Sequence, residues 1–190
     1  MNHYYETLSE YVAEVLTLPE EDKASCGQTF KPIFVPKNTI IAPAGKVPAF
    51  HNFIVSGFMR NFHVDHEGNE ITTDLNNNSR FFTSYFHFMN RSVTNENIHC
   101  ITDCELLQTT FENVERTGKT NINQKDYTIK LFEKLLMEDK QRAYEMANHT
   151  AEQRYQKFLH DKPNIIQNVP LNYIASYLGI TQRHLSRLRK

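Results

Sequence analysis

The sequence predicts an α+β protein: an N-terminal helix, a many-stranded β domain, one long helix and a small C-terminal helical domain. Three observations predict this order. From about Phe30 to Thr110 the apolar residues fall in short β-branched and aromatic runs separated by turn residues. Residues 124–150 then contain neither Gly nor Pro and carry apolar side chains at near-heptad spacing. Last, residues 171–188 have the spacing of two short helices joined by a tight turn.

Tyr5, Leu8, Tyr11, Val12, Val15 and Leu16 recur three and four residues apart, one apolar stripe of a first helix. Pro19 stops or restarts it, and Glu20, Glu21 and Asp22 suit a new first turn. Strands are predicted at 30–35, 39–41, 53–55, 58–64, 71–75, 97–101 and 105–110. Turn residues separate them at Pro36-Lys37-Asn38, Pro43-Ala44-Gly45, Ser56-Gly57, Asp65 through Asn69, and Asn76-Asn77-Asn78. So many short strands imply a β-sandwich or a small barrel-like roll. Residues 80–91 are rich in aromatics (Phe81, Phe82, Tyr85, Phe86, Phe88) and read as a strand, a short helix, or both.

In the long helix, Ile129, Phe132, Leu136, Ala143 and Met146 form one stripe, which Asp139 interrupts and Leu131 and Leu135 widen. Such a stripe can lie on the sheet or pair with its twin across a two-fold axis. It runs several turns beyond what a small sheet covers, which favours a homodimer. Breaks at Pro163 and Pro170 divide the helical end. The expected units are 1–120 for the N-terminal helix and β domain, 121–150 for the long helix, and 151–190 for the helical domain.

Hydrophobic residues make up 39% of the 190 and charged residues 23%, the balance of a globular protein. No apolar run approaches the roughly 20 residues that span a bilayer, so no membrane association is expected. Residues 1–6 lack the basic and apolar pattern of a signal peptide, and the cytoplasm is the expected location. Cys26, Cys100 and Cys104 form no disulfide framework. Net charge is −1, but residues 141–190 carry 8 Lys+Arg against 3 Asp+Glu, and no acid follows Asp161. That asymmetry suggests a polyanion partner at one end.

A helix-turn-helix needs a small residue where its helices touch, a residue tolerant of positive φ in the turn, and apolar residues that lock the second helix. Ala175, Gly179 and the set Ile174, Leu178, Ile180, Leu185 and Leu188 meet these demands in register. Pro170 is placed to start the first helix and Thr181 to cap the second. Gln182, Arg183, His184, Ser186, Arg187, Arg189 and Lys190 then point outward. Arg and Gln make paired contacts to guanine and adenine edges in the major groove, and a helix N-terminus suits phosphate. The predicted partner is double-stranded DNA.

Two rival readings compete with this one. A cupin-like metal-dependent enzyme would draw on His51, His63, His66, Glu70, His87 and His99, but it wants two histidines one residue apart on a strand. His63 and His66 are separated by two residues, which puts them on opposite faces of a strand, and His66 falls in a turn, so no metal site and no catalytic residues are assigned. A ligand-binding module without DNA leaves the arginines of the last helix unexplained.

The run Ile174 to Thr181 followed by Leu185-Ser186-Arg187 resembles the Crp/Fnr family of bacterial transcription regulators. So do Ala151-Glu152-Gln153-Arg154-Tyr155, the Phe53 to Gly57 run, Gly45, Arg60 and Gly68-Asn69-Glu70. It looks most like short members typical of Bacteroidetes. The resemblance implies an antiparallel β-roll (a double-stranded β-helix) of the cyclic-nucleotide-binding type as sensor domain, a long dimerisation helix, and a winged helix-turn-helix with a reduced wing. It implies a palindromic operator, with Gln182, Arg183 and Arg187 as base readers and Thr181, His184 and Ser186 toward phosphates, and RNA polymerase as a further candidate partner. The family's cyclic-nucleotide cassette, Gly-Glu followed by Arg-Ser/Thr-Ala, is incomplete here: residues 80–94 lack Gly-Glu, and Val93 follows Arg91-Ser92. Cyclic nucleotide is therefore not the expected effector; Arg80, Ser84, Tyr85, Arg91 and Ser92 are the candidate pocket for another small molecule. One N-terminal cysteine cannot supply an iron–sulfur cluster, which takes four thiolates, and Cys100 and Cys104 read as small core residues. No cofactor is assigned.

Overall fold

The computed structural model describes residues 3–14, 29–76, 79–120 and 122–189. The readings made of residues 15–22, 77 and 78, Cys26 and Lys190 lie outside them. Helix α1 (His3–Ala13) buries Leu8 and Val12, four residues apart on one face.

Eight strands follow: β1 (Lys31–Val35), β2 (Ile40–Ala42), β3 (Phe50–Ser56), β4 (Met59–Val64), β5 (Glu70–Leu75), β6 (Arg80–Phe81), β7 (Asn97–Cys100) and β8 (Cys104–Thr110). They form two antiparallel four-stranded sheets, ordered β1-β8-β3-β6 and β2-β7-β4-β5. Chain neighbours such as β1 and β2, or β3 and β4, sit in opposite sheets, so the chain winds as a β-roll. The step from β3 to β4 needs glycine. Gly57 has φ +101, and a Cβ there would stand 2.5 Å from the Asp103 carbonyl oxygen and 2.7 Å from Cys104 Sγ. Residues 80–91 hold both expected forms, β6 and then a short helix α2 (Tyr85–Met89).

Ile54, Met59, Ile98 and Leu106 fill the space between the sheets, together with Cys100 and Cys104, which are buried free thiols. In β8, Leu106 joins this inner core while its neighbour Leu107 faces a second cluster with Leu8, Val12, Phe53 and Phe81. The first sheet is thus covered on both faces, by the other sheet and by helices.

Helix α3 (Phe111–Thr120) leads into α4 (Ile122–Asn148), which is 27 residues long. Tyr127, Leu131 and Leu135, spaced by four, join the cluster around α1 and the roll. Leu131 and Leu135 therefore do not widen the outer stripe; at that phase they face the sheet. The outer face carries Ile129, Leu136 and Ala143, with Leu136 68% exposed. The long helix packs on the roll with one face and leaves another apolar face outward.

The rest is helical: α5 (Ala151–Asp161), α6 (Ile165–Asn168), α7 (Leu171–Tyr177) and α8 (Gln182–Leu188). Thr150 and Gln153 form a capping box that starts α5. Among the described residues no strand lies beyond Thr110, so the reduced wing expected before α7 is instead the short helix α6. Tyr155, Phe158, Ile165, Ile174 and Leu185 share one core with Leu75 and Ile101 of the roll.

Candidate nucleic-acid interface

Helix α7 ends in a Schellman turn. The Ile180 N–H donates to the Ala175 carbonyl and the Gly179 N–H to the Ser176 carbonyl, each at 3.0 Å, with Gly179 at φ +67. Ala175 is buried where the helices meet. A Cβ on Gly179 would stand 2.5 Å from Met146 Cε. Met146, expected on the dimer stripe, thus packs under this turn.

Two arginines that the motif did not reveal hold the same turn. Arg154 donates from Nε to the Leu178 carbonyl at 3.0 Å and from its terminal nitrogen to the His149 carbonyl at 2.6 Å. Arg142 of α4 donates to the Tyr177 carbonyl at 2.8 Å and lies 3.7 Å from that ring's centroid. Both meet carbonyls left unpaired at the end of α7, where the helix dipole favours cations. Burial pushes the Tyr177 phenol up to about 12. The spacing of Arg154 within Ala151 to Tyr155 was visible in the sequence, but its target, 24 residues on, was not.

Thr181 is N-cap of α8, its hydroxyl accepting the His184 N–H at 3.2 Å. Leu185 is wholly buried and Leu188 packs beside it. Gln182, Arg183, His184, Ser186, Arg187 and Arg189 are all exposed. Ser186 donates its hydroxyl to the Gln182 carbonyl at 3.0 Å, so its proton is used within the helix. Among the described residues none of Arg183, Arg187 and Arg189 forms an ion pair. The helix presents one cationic, amide-bearing face, and α7 and Met146 hold it from behind.

Helix α7 also docks on the roll. Ser176 Oγ accepts the Thr72 N–H at 2.9 Å and donates to the Glu70 carbonyl at 3.2 Å, closing the open edge of β5. Lys162 donates to the Leu75 carbonyl at 2.6 Å.

The expected effector residues separate. Arg80, Ser84 and Tyr85 line a cavity of about 470 Å³ between the roll, α2 and α4. Arg91 and Ser92 do not. Arg91, at φ +51, places its guanidinium 5.2 Å from the Phe111 ring centroid, and Ser92 pairs with His87 Nδ1 at 3.0 Å. The chain turns at Arg91 as it leaves α2, carrying the Arg91 side chain toward α3 while Ser92 bonds back to α2. Phe132 and Leu136 of the outer stripe border the cavity, and Phe132 meets Tyr85 edge-on at 4.4 Å between centroids. Arg80 lies 3.6 Å from Asp74 and 3.4 Å from Glu138. Burial opposes its charge, but these carboxylates outweigh that and hold its pKa above the usual value.

The histidines disperse. His51 is stacked against Phe81 and Phe88, His99 accepts from Arg60 Nε, and Glu70 pairs with Arg60. Among the described residues no three His, Cys, Asp or Glu side chains are placed to hold a metal ion.

No protein-family model and no curated protein matches the chain. Solved structures do. FixK2 from Bradyrhizobium japonicum superposes with a TM-score of 0.73 at 14% identity, over 84% of this chain and 82% of that one. CLP, a c-di-GMP-responsive global regulator that links cell-cell signaling to virulence gene expression in Xanthomonas campestris, gives 0.66 at 15% identity, over 96% and 88%. A protein from Eubacterium rectale described as a transcriptional regulator of the Crp/Fnr family gives 0.69 at 19% identity, over 90% and 82%. The chain has the fold of Crp/Fnr regulators, from the roll through the long helix to the helix-turn-helix.

Proposed function

We propose that this chain is a homodimeric, sequence-specific DNA-binding transcription regulator of the Crp/Fnr type. The observation that carries the reading is α8. It is capped at Thr181 and buried through Leu185, and it exposes Gln182, Arg183, Arg187 and Arg189 without an acid partner among the described residues. Arg183, Arg187 and Gln182 read bases; Thr181 and His184, at the helix start, face phosphate. Ile129, Leu136 and Ala143 on the outer face of α4 pair with their counterparts in a second copy, and two copies of α8 then meet half-sites about one helical turn apart. The fold of the neighbours, regulators rather than enzymes by name, supports this, and the cytoplasm is where such a protein acts.

The signal enters through the roll. Asp74, Arg80 and Asp139 border both the cavity and a second cleft that reaches Arg142 and Tyr177 at the end of α7. A ligand that moves Arg80 or Asp139 shifts the α4–α7 contact, and with it the presentation of α8. RNA polymerase is the natural further partner of an activator. Selection from a randomised duplex pool at moderate salt tests the function. The expected result is a two-fold-symmetric motif; weak, salt-sensitive binding with no enrichment, with and without cell extract, overturns it.

A further inference from the structure

Arg60 of β4 and His99 of β7 stand directly opposite each other, so their side chains share one face of the second sheet. Helix α7 lies on that face: Tyr173 takes the Arg60 guanidinium 3.5 Å from its ring centroid and meets the His99 ring edge-on at 6.1 Å. Arg60 is 2% exposed and His99 7%. Each nitrogen of Arg60 is engaged. Nε donates to His99 Nδ1 at 3.2 Å, one terminal nitrogen donates to Thr72 Oγ1, and the other pairs with Glu70. Ser176, three residues along α7 from Tyr173, bonds the β5 edge, so one face of one helix makes the whole dock. An imidazole nitrogen accepts a hydrogen bond only while it carries no proton, so His99 is neutral when α7 is docked. A proton on Nδ1 would turn the acceptor into a donor and set an imidazolium against a guanidinium, out of water, at 3.2 Å. The groups facing His99 are Arg60 on β4, Glu70 on β5 and the Tyr173 phenol on α7, while β2 opposes it with Ile40. Glu70 favours the charged ring but is already paired with Arg60. Burial, with Arg60 beside it, holds the His99 pKa below the ordinary 6.5.

We propose that the dock of α7 on the roll is a proton-sensitive contact: protonation of His99 breaks its bond to Arg60, unstacks Arg60 from Tyr173 and releases α7 from the roll. The docked state holds His99 neutral, and the released state lets it take a proton near the ordinary histidine value of about 6.5. The dock is therefore complete above that pH and weakens as pH falls below it. The inference goes beyond the regulator reading, since it concerns this contact whether or not α8 reads DNA.

Amide hydrogen exchange of the full chain, followed by NMR, tests this, with each rate divided by the chemical exchange rate at that pH. The Thr72 N–H, which donates to Ser176, reports the dock, and the Leu106 N–H, in the buried strand β8, reports the roll. From about pH 7.5 to about pH 5.5, Thr72 protection is expected to fall about threefold to tenfold, tenfold being the ceiling for one proton with a released value of about 6.5. Leu106 protection is expected to hold. His99→Asn keeps a neutral acceptor near the Nδ1 position, and its Thr72 protection is expected to stay flat over the same range. The carbon-13 shift of the His99 ring gives a second readout, with a midpoint below about 6.5 that Tyr173→Leu raises. Flat Thr72 protection in the wild type, a fall shared by Leu106, an equal fall in a folded His99→Asn, or a His99 midpoint at or above about 6.5 overturns the proposal. Neither readout involves DNA, so a duplex selection that enriches nothing would remove the regulator and leave this contact standing.

Discussion

The guanidinium of Arg60, in the roll, lies 3.5 Å from the centroid of the Tyr173 ring, in the first helix of the helix-turn-helix. Phe62 covers the other side at 4.1 Å, and Glu70, Thr72 and His99 take up the N–H groups. Tyr173 and Ser176 are three residues apart on α7, so one helical face makes both the stacking contact and the β5 edge contact. A desolvated cation–π contact is worth up to about 2 kcal/mol. Tyr173→Leu is expected to lower unfolding free energy by about 1–2 kcal/mol in urea denaturation, while Tyr173→Phe, which keeps the ring, stays near wild type.

Gly179 is constrained twice, by φ +67 and by the Met146 methyl. Gly179→Ala is expected to cost about 1–2 kcal/mol for the left-handed backbone and more for the clash. Met146→Ala should restore only the steric share. A double-mutant cycle by chemical denaturation measures it; strict additivity would mean that Met146 moves aside freely.

The two faces of α4 predict opposite phenotypes. Leu131 is buried against the roll, so Leu131→Ala is expected to cost about 2–5 kcal/mol of stability. Leu136 is exposed in one copy, so Leu136→Ser should leave the melting profile of the protomer nearly intact and shift sedimentation from dimer to monomer. A dimer that survives Leu136→Ser places the interface elsewhere.

That division also shows what the sequence disclosed. The helix-turn-helix was legible because its constraints are local: Ala175, Gly179 and Thr181 each answer a demand set within a few residues. The strands were legible from turns such as Asp65 to Asn69, whose bonds close within four residues. What stayed hidden is non-local. Leu131 and Leu136 have the same apolar character, and only the position of the roll decides which is inside. Arg91 and Arg80 look alike as anion ligands, yet one lies over Phe111 and the other between Asp74 and Glu138. The role of Arg154 depends on a carbonyl that only the tertiary fold brings near.

His51 gives a pH signature. Burial among Phe81, Tyr85 and Phe88 lowers its pKa from the ordinary 6.5 to about 3. The folded state holds it neutral, while the unfolded chain takes a proton below pH 6.5. Its contribution is therefore complete above that pH and is lost as pH falls toward 3, by about 1.4 kcal/mol per unit at most. His51→Phe should flatten the stability profile between pH 6 and 4, followed by denaturation at several pH values. An unchanged slope would assign that pH dependence to other groups.

The most direct test of DNA reading compares affinity for the selected operator with affinity for a scrambled duplex of equal length at one salt concentration. Arg183→Ala and Arg187→Ala are each expected to lose about 1–3 kcal/mol on the operator and little on the scramble, relaxing base preference. Equal losses on both duplexes would make these arginines phosphate contacts, and no loss on either would contradict α8 as the recognition helix.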